Sequence, residues 1–237
     1  MSEFWSALPA GSAIWLTLQL ATTTMLVLLA LATPLAFWLS QTRSPIKPVI
    51  ETLTALPLVL PATVLGFYLL IIMSPTSLIG GFWVSLTGET LTFSFSGLLV
   101  ASLIYSLPFA VQPLQAAFES VGKEPIDAAR VLGAGPFDRF FNVVAPLSKR
   151  GFLIAGVLSF AHTVGEFGTI LMVGGAIPGR TETLSIAVYN RVETLQYGEA
   201  HSLSALLLLF SFAVLFFVYS LQNRSAKIGL FTRRQNR

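Results

Sequence analysis

Cysteine is missing from the 237-residue chain, which excludes disulfides and thiolate metal sites and leaves the redox compartment unread. Charge is scarce too. Asp, Glu, Lys and Arg together make up 11% of the residues, against 54% hydrophobic ones, where a soluble domain carries about 25% charged residues. Too few charges remain to cover a water-facing surface, and a soluble enzyme or a nucleic-acid-binding domain is excluded. Histidine occurs twice, at His162 and His201, without an H-E-x-x-H pair, so an intramembrane metalloprotease has little support and no metal site is expected. No G-x-x-x-x-G-K-[ST] loop is present to cradle nucleotide phosphates, and no cofactor is expected in the chain itself. The opening residues Met1-Ser2-Glu3-Phe4-Trp5 lack a basic region and a small-residue cleavage site, so the first hydrophobic run is expected to be retained.

Long apolar runs are what the chain does have, and its mean hydropathy is +0.76. A hydrocarbon core of about 30 Å needs about 20 apolar residues in helix, because no water is present there to satisfy a non-helical backbone. Five runs meet that length, at about Ser12–Leu39, Val49–Met73, Phe95–Ala117, Phe152–Val173 and Ser202–Leu221. A sixth, Glu182–Val192, is too short and polar to span and reads as an interfacial or re-entrant helix. The fold class is therefore all-α, a polytopic membrane bundle of about five spans, with residues 1–237 forming one transmembrane domain.

Lysine and arginine mark the cytoplasmic side of such a bundle. Arg43 and Lys47 follow the first run, and Lys123, Arg130, Arg139, Lys149 and Arg150 lie between the third and fourth. Arg224, Lys227, Arg233, Arg234 and Arg237 follow the fifth. Five crossings put all of these on one face, which predicts an outside N-terminus and a cytoplasmic C-terminus. The basic pI of about 9.4 thus reads as topology and not as a nucleic-acid patch. The outside loops are about Ser74–Ser94 and Gly174–His201.

The largest inside loop, 118–151, is punctuated like structure. Pro125 suits a first helical turn, and Asp127 places negative charge near the positive end of the helix dipole. A short helix is predicted over Pro125–Leu132, ended by the permissive backbones of Gly133 and Gly135, and Pro136 starts a second. In that second helix Phe137, Phe140, Phe141 and Val144 recur at i, i+3, i+4 and i+7, one apolar face. Periodicity leaves two readings of it open. The face rests on the protein's own cytoplasmic ends or on lipid headgroups, or it holds the first helix, notched at Ala128 and Ala129, ready to dock in a partner's groove.

The segment resembles the EAA loop of ABC importer permeases. Asp127-Ala128-Ala129 precedes Gly133 at the family spacing, and Val143, Ala145 and Pro146 hold the closing positions. Asp stands for Glu, Val for Ile and Ala for Leu. "LPLVLPATVLGFYLL" from Leu56 and "VGEFGTILMVGGAIPGRTETLSIAVY" from Val164 are similar to further segments of the molybdate branch of type I ABC importers; Gly165–Gly168 also resembles sulfate permeases. The resemblance implies a type I permease fold, a homodimer in a bacterial inner membrane, a separate ATPase dimer carrying ATP and magnesium, and a periplasmic oxyanion-binding protein. The chain is then a transport subunit and not an enzyme, importing molybdate, with tungstate or sulfate as alternatives. It further implies that Asp127, Ala128, Ala129, Arg130 and Gly133 dock on the ATPase, with Phe137, Phe140, Phe141 and Pro146 anchoring them.

Within the spans, Pro57 and Pro61 remove two helical hydrogen bonds from one face of the second run. A packing kink and a pathway-lining bend both fit. Carbonyls freed by proline are acceptors, whereas an oxyanion needs donors, so Thr63 is the better contact candidate, with Thr163 a further pathway candidate. Glu166 is the conspicuous ionisable group of the fourth run; it would repel a dianion, and it is expected to serve packing, a gate or the binding-protein surface. His162, one turn earlier, is within reach of a hydrogen bond to it, but a satisfied interior histidine is the favoured account. A self-contained secondary transporter or channel is the rival class, but it would place paired ionisable groups or repeated broken helices at the midplane. The sequence offers one broken run and one Glu166.

Overall fold

The computed structural model describes residues 11–235; the expected exterior start at Met1 and the terminal Arg237 lie outside them. The first run forms α1, Gly11–Gln41, continuous through Pro34. The third forms α5, Phe95–Val121, and the fifth lies in α11, Tyr197–Gln235. No strand occurs among the described residues. Among the described residues three helices are long and apolar enough to cross a membrane, and two bent helix pairs raise the number to five.

The second run is broken outright and not merely kinked. It comprises α2, Lys47–Ala55, a 3-10 turn at Leu56–Leu58, and α3, Ala62–Met73, with a bend of 108° between the two halves. Pro61 has no N–H to continue the ladder, and a proline ring disfavours the helical region for the residue before it. Pro61 itself adopts φ −55° and ψ 133° and caps α3. A polar clasp ties α2 to α5: Lys47 lies 3.5 Å from Glu119, and Gln115 donates to Glu51 at 2.7 Å.

The fourth run is broken as well, against expectation. Helix α6, Glu124–Val131, and the helical stretch α7, Pro136–Leu147, precede α8, Lys149–Gly165, which turns 73° from α7. Helix α8 stops short at Glu166, whose φ of −65° and ψ of 135° are extended, and α9, Gly168–Gly174, resumes. Gly165 and Gly168 bracket the break and weaken helix on both sides of it.

Between the crossings lie α4, Leu78–Thr87, and α10, Leu184–Glu193. Ten residues of helix rise about 15 Å against a core of about 30 Å, so α10 does not span. It is tied to the first turns of α1 by the Leu184 N–H, which donates to Thr17 Oγ1 at 2.8 Å.

Helices α1, α5 and α8 pack on one another and form the centre. Their main cluster joins Ala36 and Leu39 of α1 to Leu114 and Phe118 of α5 and Ala155 of α8, and it takes in Ile126 and Val144 from the loop. The loop segment is therefore built into the bundle at one end.

Candidate functional site

Helix α6 starts with Pro125 in its first turn and carries Glu124 and Asp127 there, where the dipole favours them. Gly133 ends it at φ +86°. The Leu132 N–H returns to Ala128 O, and the Ala134 N–H to Ala129 O at 3.0 Å, the closing pattern that a left-handed residue allows. Gly135 departs from expectation: its φ of −69° is open to any residue. Ile126 alone of α6 is buried. Asp127, Ala128 and Arg130 are exposed, and an ion pair of 3.2 Å joins Arg130 to Asp127 along the surface. Val131 and Leu132 stand 87% exposed at its tip. Hydropathy cannot single them out, since apolar residues outside a span usually face inward.

The expected four-residue anchor on α7 divides in two. Val144 is fully buried and Phe140 half-buried, whereas Phe137 and Phe141 are exposed. A π turn at Phe140–Val144, closed by the Ala145 N–H on Phe140 O, accounts for the difference. The wider turn brings Val144 into line with Phe140 and swings it away from Phe137. Pro146 is also exposed. Phe140 packs edge-on at 6.0 Å against Phe118, which also meets Phe37 at 5.8 Å and Phe152 at 5.7 Å. Phe118 is the hub that sequence reasoning missed, because it sits where the third run gives way to the loop.

At the far end of α8 the two helix breaks lie side by side. Thr169 Oγ1 donates to Ala62 O at 3.2 Å. Gly66 lets α3 approach α9 closely: a Cβ there would sit 2.8 Å from Met172 Cβ. A cavity of about 360 Å³ opens between the breaks, lined by Ala62, Tyr105, His162, Glu166 and Phe167 among others. Pro61 caps the helix that borders it, and Thr63 is exposed on that helix's first turn. Pro57 and Thr163 do not join them. Pro57 is buried in the 3-10 turn, and Thr163 is spent inside the bundle, donating to Ser159 O at 2.9 Å and sharing a bond with Ser106.

Glu166 is 3% exposed and takes a 2.8 Å hydrogen bond from Ser102 Oγ on α5, while its Oε1 has no partner among the described residues. No bond joins it to His162, which is satisfied elsewhere in the interior, as favoured. His162 Nδ1 pairs instead with Ser106 Oγ at 2.9 Å, and its ring stacks on Phe109 at 4.0 Å. Ser102 and Ser106 stand one turn apart on α5, and Glu166 lies four residues beyond His162, just past the end of α8, so each finds the partner across from it. A serine inside a greasy run carries no periodic signal, and the pairing was not readable. Among the described residues no group of three His, Asp or Glu is placed to hold a metal.

Residues 29–227 match the family described as binding-protein-dependent transport system inner membrane component. The chain is 53% identical over 219 residues to a molybdenum transport system permease protein of Azotobacter vinelandii, across 92% of this chain and 96% of that one. It is 32% identical over 191 residues to a sulfate transport system permease protein of Escherichia coli strain K12, across 80% of this chain and 68% of that one. The fold is that of a chain in the crystal structure of a bacterial alginate ABC transporter in complex with a periplasmic protein bound to alginate pentasaccharide. The TM-score is 0.73 at 15% identity, covering 95% of this chain and 82% of that one.

Proposed function

The chain belongs to the family of binding-protein-dependent transport system inner membrane components, and on that premise we propose that it is the permease subunit of an ATP-driven molybdate importer. The observation that carries the substrate is the 53% identity, nearly end to end, to a molybdenum transport permease, against 32% to a sulfate one. Two copies of the chain enclose the pathway in a bacterial inner membrane, N-terminus outside and C-terminus cytoplasmic. A binding protein delivers the oxyanion at the outer loops, and a separate ATPase pair hydrolyses ATP.

Helix α6 is the docking element. Its exposed tip, Val131 and Leu132, offers apolar surface to the ATPase, and Ala128 and Gly133 keep the helix narrow there. Ile126, Phe140 and Val144 connect that tip to the ends of α1, α5 and α8, so a rigid displacement of α6 reaches three crossings together. The cavity between the two breaks is the pathway element. Thr63 and the first N–H groups of α3 supply donors for an oxyanion, and the dipole of α3 favours negative charge at that end. Glu166, turned to Ser102, fixes the break in α8 and α9 and does not coordinate the anion.

The test is uptake of labelled molybdate by vesicles holding this chain, its ATPase and its binding protein, with and without ATP. ATP-dependent uptake that tungstate blocks and sulfate does not is the expected result. Uptake driven by an ion gradient without the ATPase would place the chain among self-contained transporters and overturn the proposal.

A further inference from the structure

An apolar groove remains beside α7 that the transport reading does not use. One wall is the exposed pair Phe137 and Phe141, the other Leu29, Ala30 and Phe37 of α1, and Phe152 lies at its floor; the volume is about 670 Å³. That is within the range of about 300–1,000 Å³ that holds a drug-sized ligand. Thr33, the polar side chain on the α1 wall, turns its hydroxyl back to Leu29 O at 2.5 Å and leaves the wall apolar.

Depth and charge identify the occupant. The wall from Leu29 to Phe37 lies twelve to four residues before the end of α1 at Gln41, about 18 to 6 Å inside the helix end at 1.5 Å per residue. One leaflet of the hydrocarbon core occupies about 15 Å. The groove is thus at acyl-chain depth, whereas the proposed ATPase dock on α6 faces water. Arg139 directly precedes Phe140 of the lining and donates its Nε to Gly135 O at 3.4 Å, and Lys149 stands one turn before Phe152 on the same face of α8; neither is in an ion pair among the described residues. The carboxylate beside them, Asp138, is engaged by Asn142.

We propose that this groove is a binding site for an anionic phospholipid of the cytoplasmic leaflet, one acyl chain lying between α1 and α7 and the phosphate meeting Arg139 and Lys149. The proposal rests on the orientation given above. It fits Phe137 and Phe141, left bare by the π turn, and makes the bound lipid a wedge between the coupling segment and the first crossing.

The test uses the full chain in vesicles of phosphatidylglycerol or phosphatidylcholine, each doped with its own photoactivatable-acyl analogue. With phosphatidylglycerol, crosslinks should concentrate on peptides containing Phe137, Phe141 and Ala30. Native mass spectrometry should show one phosphatidylglycerol retained per chain, preferred over phosphatidylcholine by about thirtyfold, the factor two surface cations supply. Ala30→Trp should fill the groove and abolish retention, and Arg139→Gln with Lys149→Gln should erase the headgroup preference while chain crosslinks persist. Crosslinks spread evenly over all crossings, or equal retention of the two lipids by the unaltered chain, overturn the site without needing any variant to fold. Protection of the groove by the ATPase in lipid-free detergent assigns it to that partner and overturns it equally. Because the chain lacks cysteine, single substitutions Ser44→Cys and Ser77→Cys labelled from either side read orientation separately. Labelling of Ser44→Cys from outside overturns the orientation, whereas an empty groove with Ser44→Cys labelled from inside overturns the lipid site alone.

Discussion

At one end of α8, Phe152 meets Phe118 of α5 ring to edge at 5.7 Å; at the other, Glu166 takes a hydrogen bond from Ser102 of the same helix at 2.8 Å. The same two helices are joined by apolar packing where they emerge toward the loop and by polar pairs where they approach the break. Between crossings hydrocarbon offers no hydrophobic gain; close packing of rings holds the loop end, and hydrogen bonds hold the break end. The loop end is therefore sensitive to lost volume and the break end to lost partners.

Phe118→Ala strikes the loop end hardest. It empties a fully buried hub and should cost about 3–5 kcal/mol of stability, read by thermal unfolding in detergent, whereas Phe118→Leu should cost less than about 1.5 kcal/mol. Equal losses from the two would mean that the ring contacts, and not the volume, hold this end together. Ser102→Ala strikes the break end and leaves a buried carboxylate without its donor, at about 1–3 kcal/mol. In a double-mutant cycle with Glu166→Gln the two changes should couple by more than about 0.5 kcal/mol; simple additivity would show that the pair does not hold the break.

Gly133→Val forces a branched side chain into a left-handed backbone, a strain of about 1–2 kcal/mol. Its stability cost should be moderate, but uptake should be lost and ATP hydrolysis uncoupled while membrane insertion survives. Ala128→Trp should show the same pattern, and normal transport by either would remove α6 from the docking role. Smallest of all, Arg130→Ala breaks an exposed pair and should change stability by about 0–1 kcal/mol, so any large transport defect in it would report a contact with the ATPase.

Hydropathy made the crossings legible, because length and polarity are local properties of a run. Proline and glycine likewise marked where α6 ends and α7 begins. The breaks were harder to see. Pro57 and Pro61 signalled one of them, but a bend of 108° depends on what α2 and α3 pack against, and the clasp of Lys47 and Gln115 onto α5 and α2 is a tertiary matter. The break at Glu166 was hidden because the run stays apolar on both sides of it and the serine that satisfies the carboxylate lies 64 residues away. Periodicity put the four apolar residues of α7 on one face and could not anticipate the π turn that divides them. The exposed Val131 and Leu132 were invisible for a different reason: outside a span, an apolar residue reads the same in sequence whether it packs inward or faces out.

Phe118 and its three ring neighbours bear on how the molecule deforms. Interiors packed this closely have low compressibility, so a push on Ile126 or Val144 is not absorbed where it arrives. It has to appear where the backbone has given up its helical hydrogen bonds, at Pro61 and Glu166. In the proposed importer the stiff end is the one the ATPase meets, and the compliant end is the one that borders the pathway.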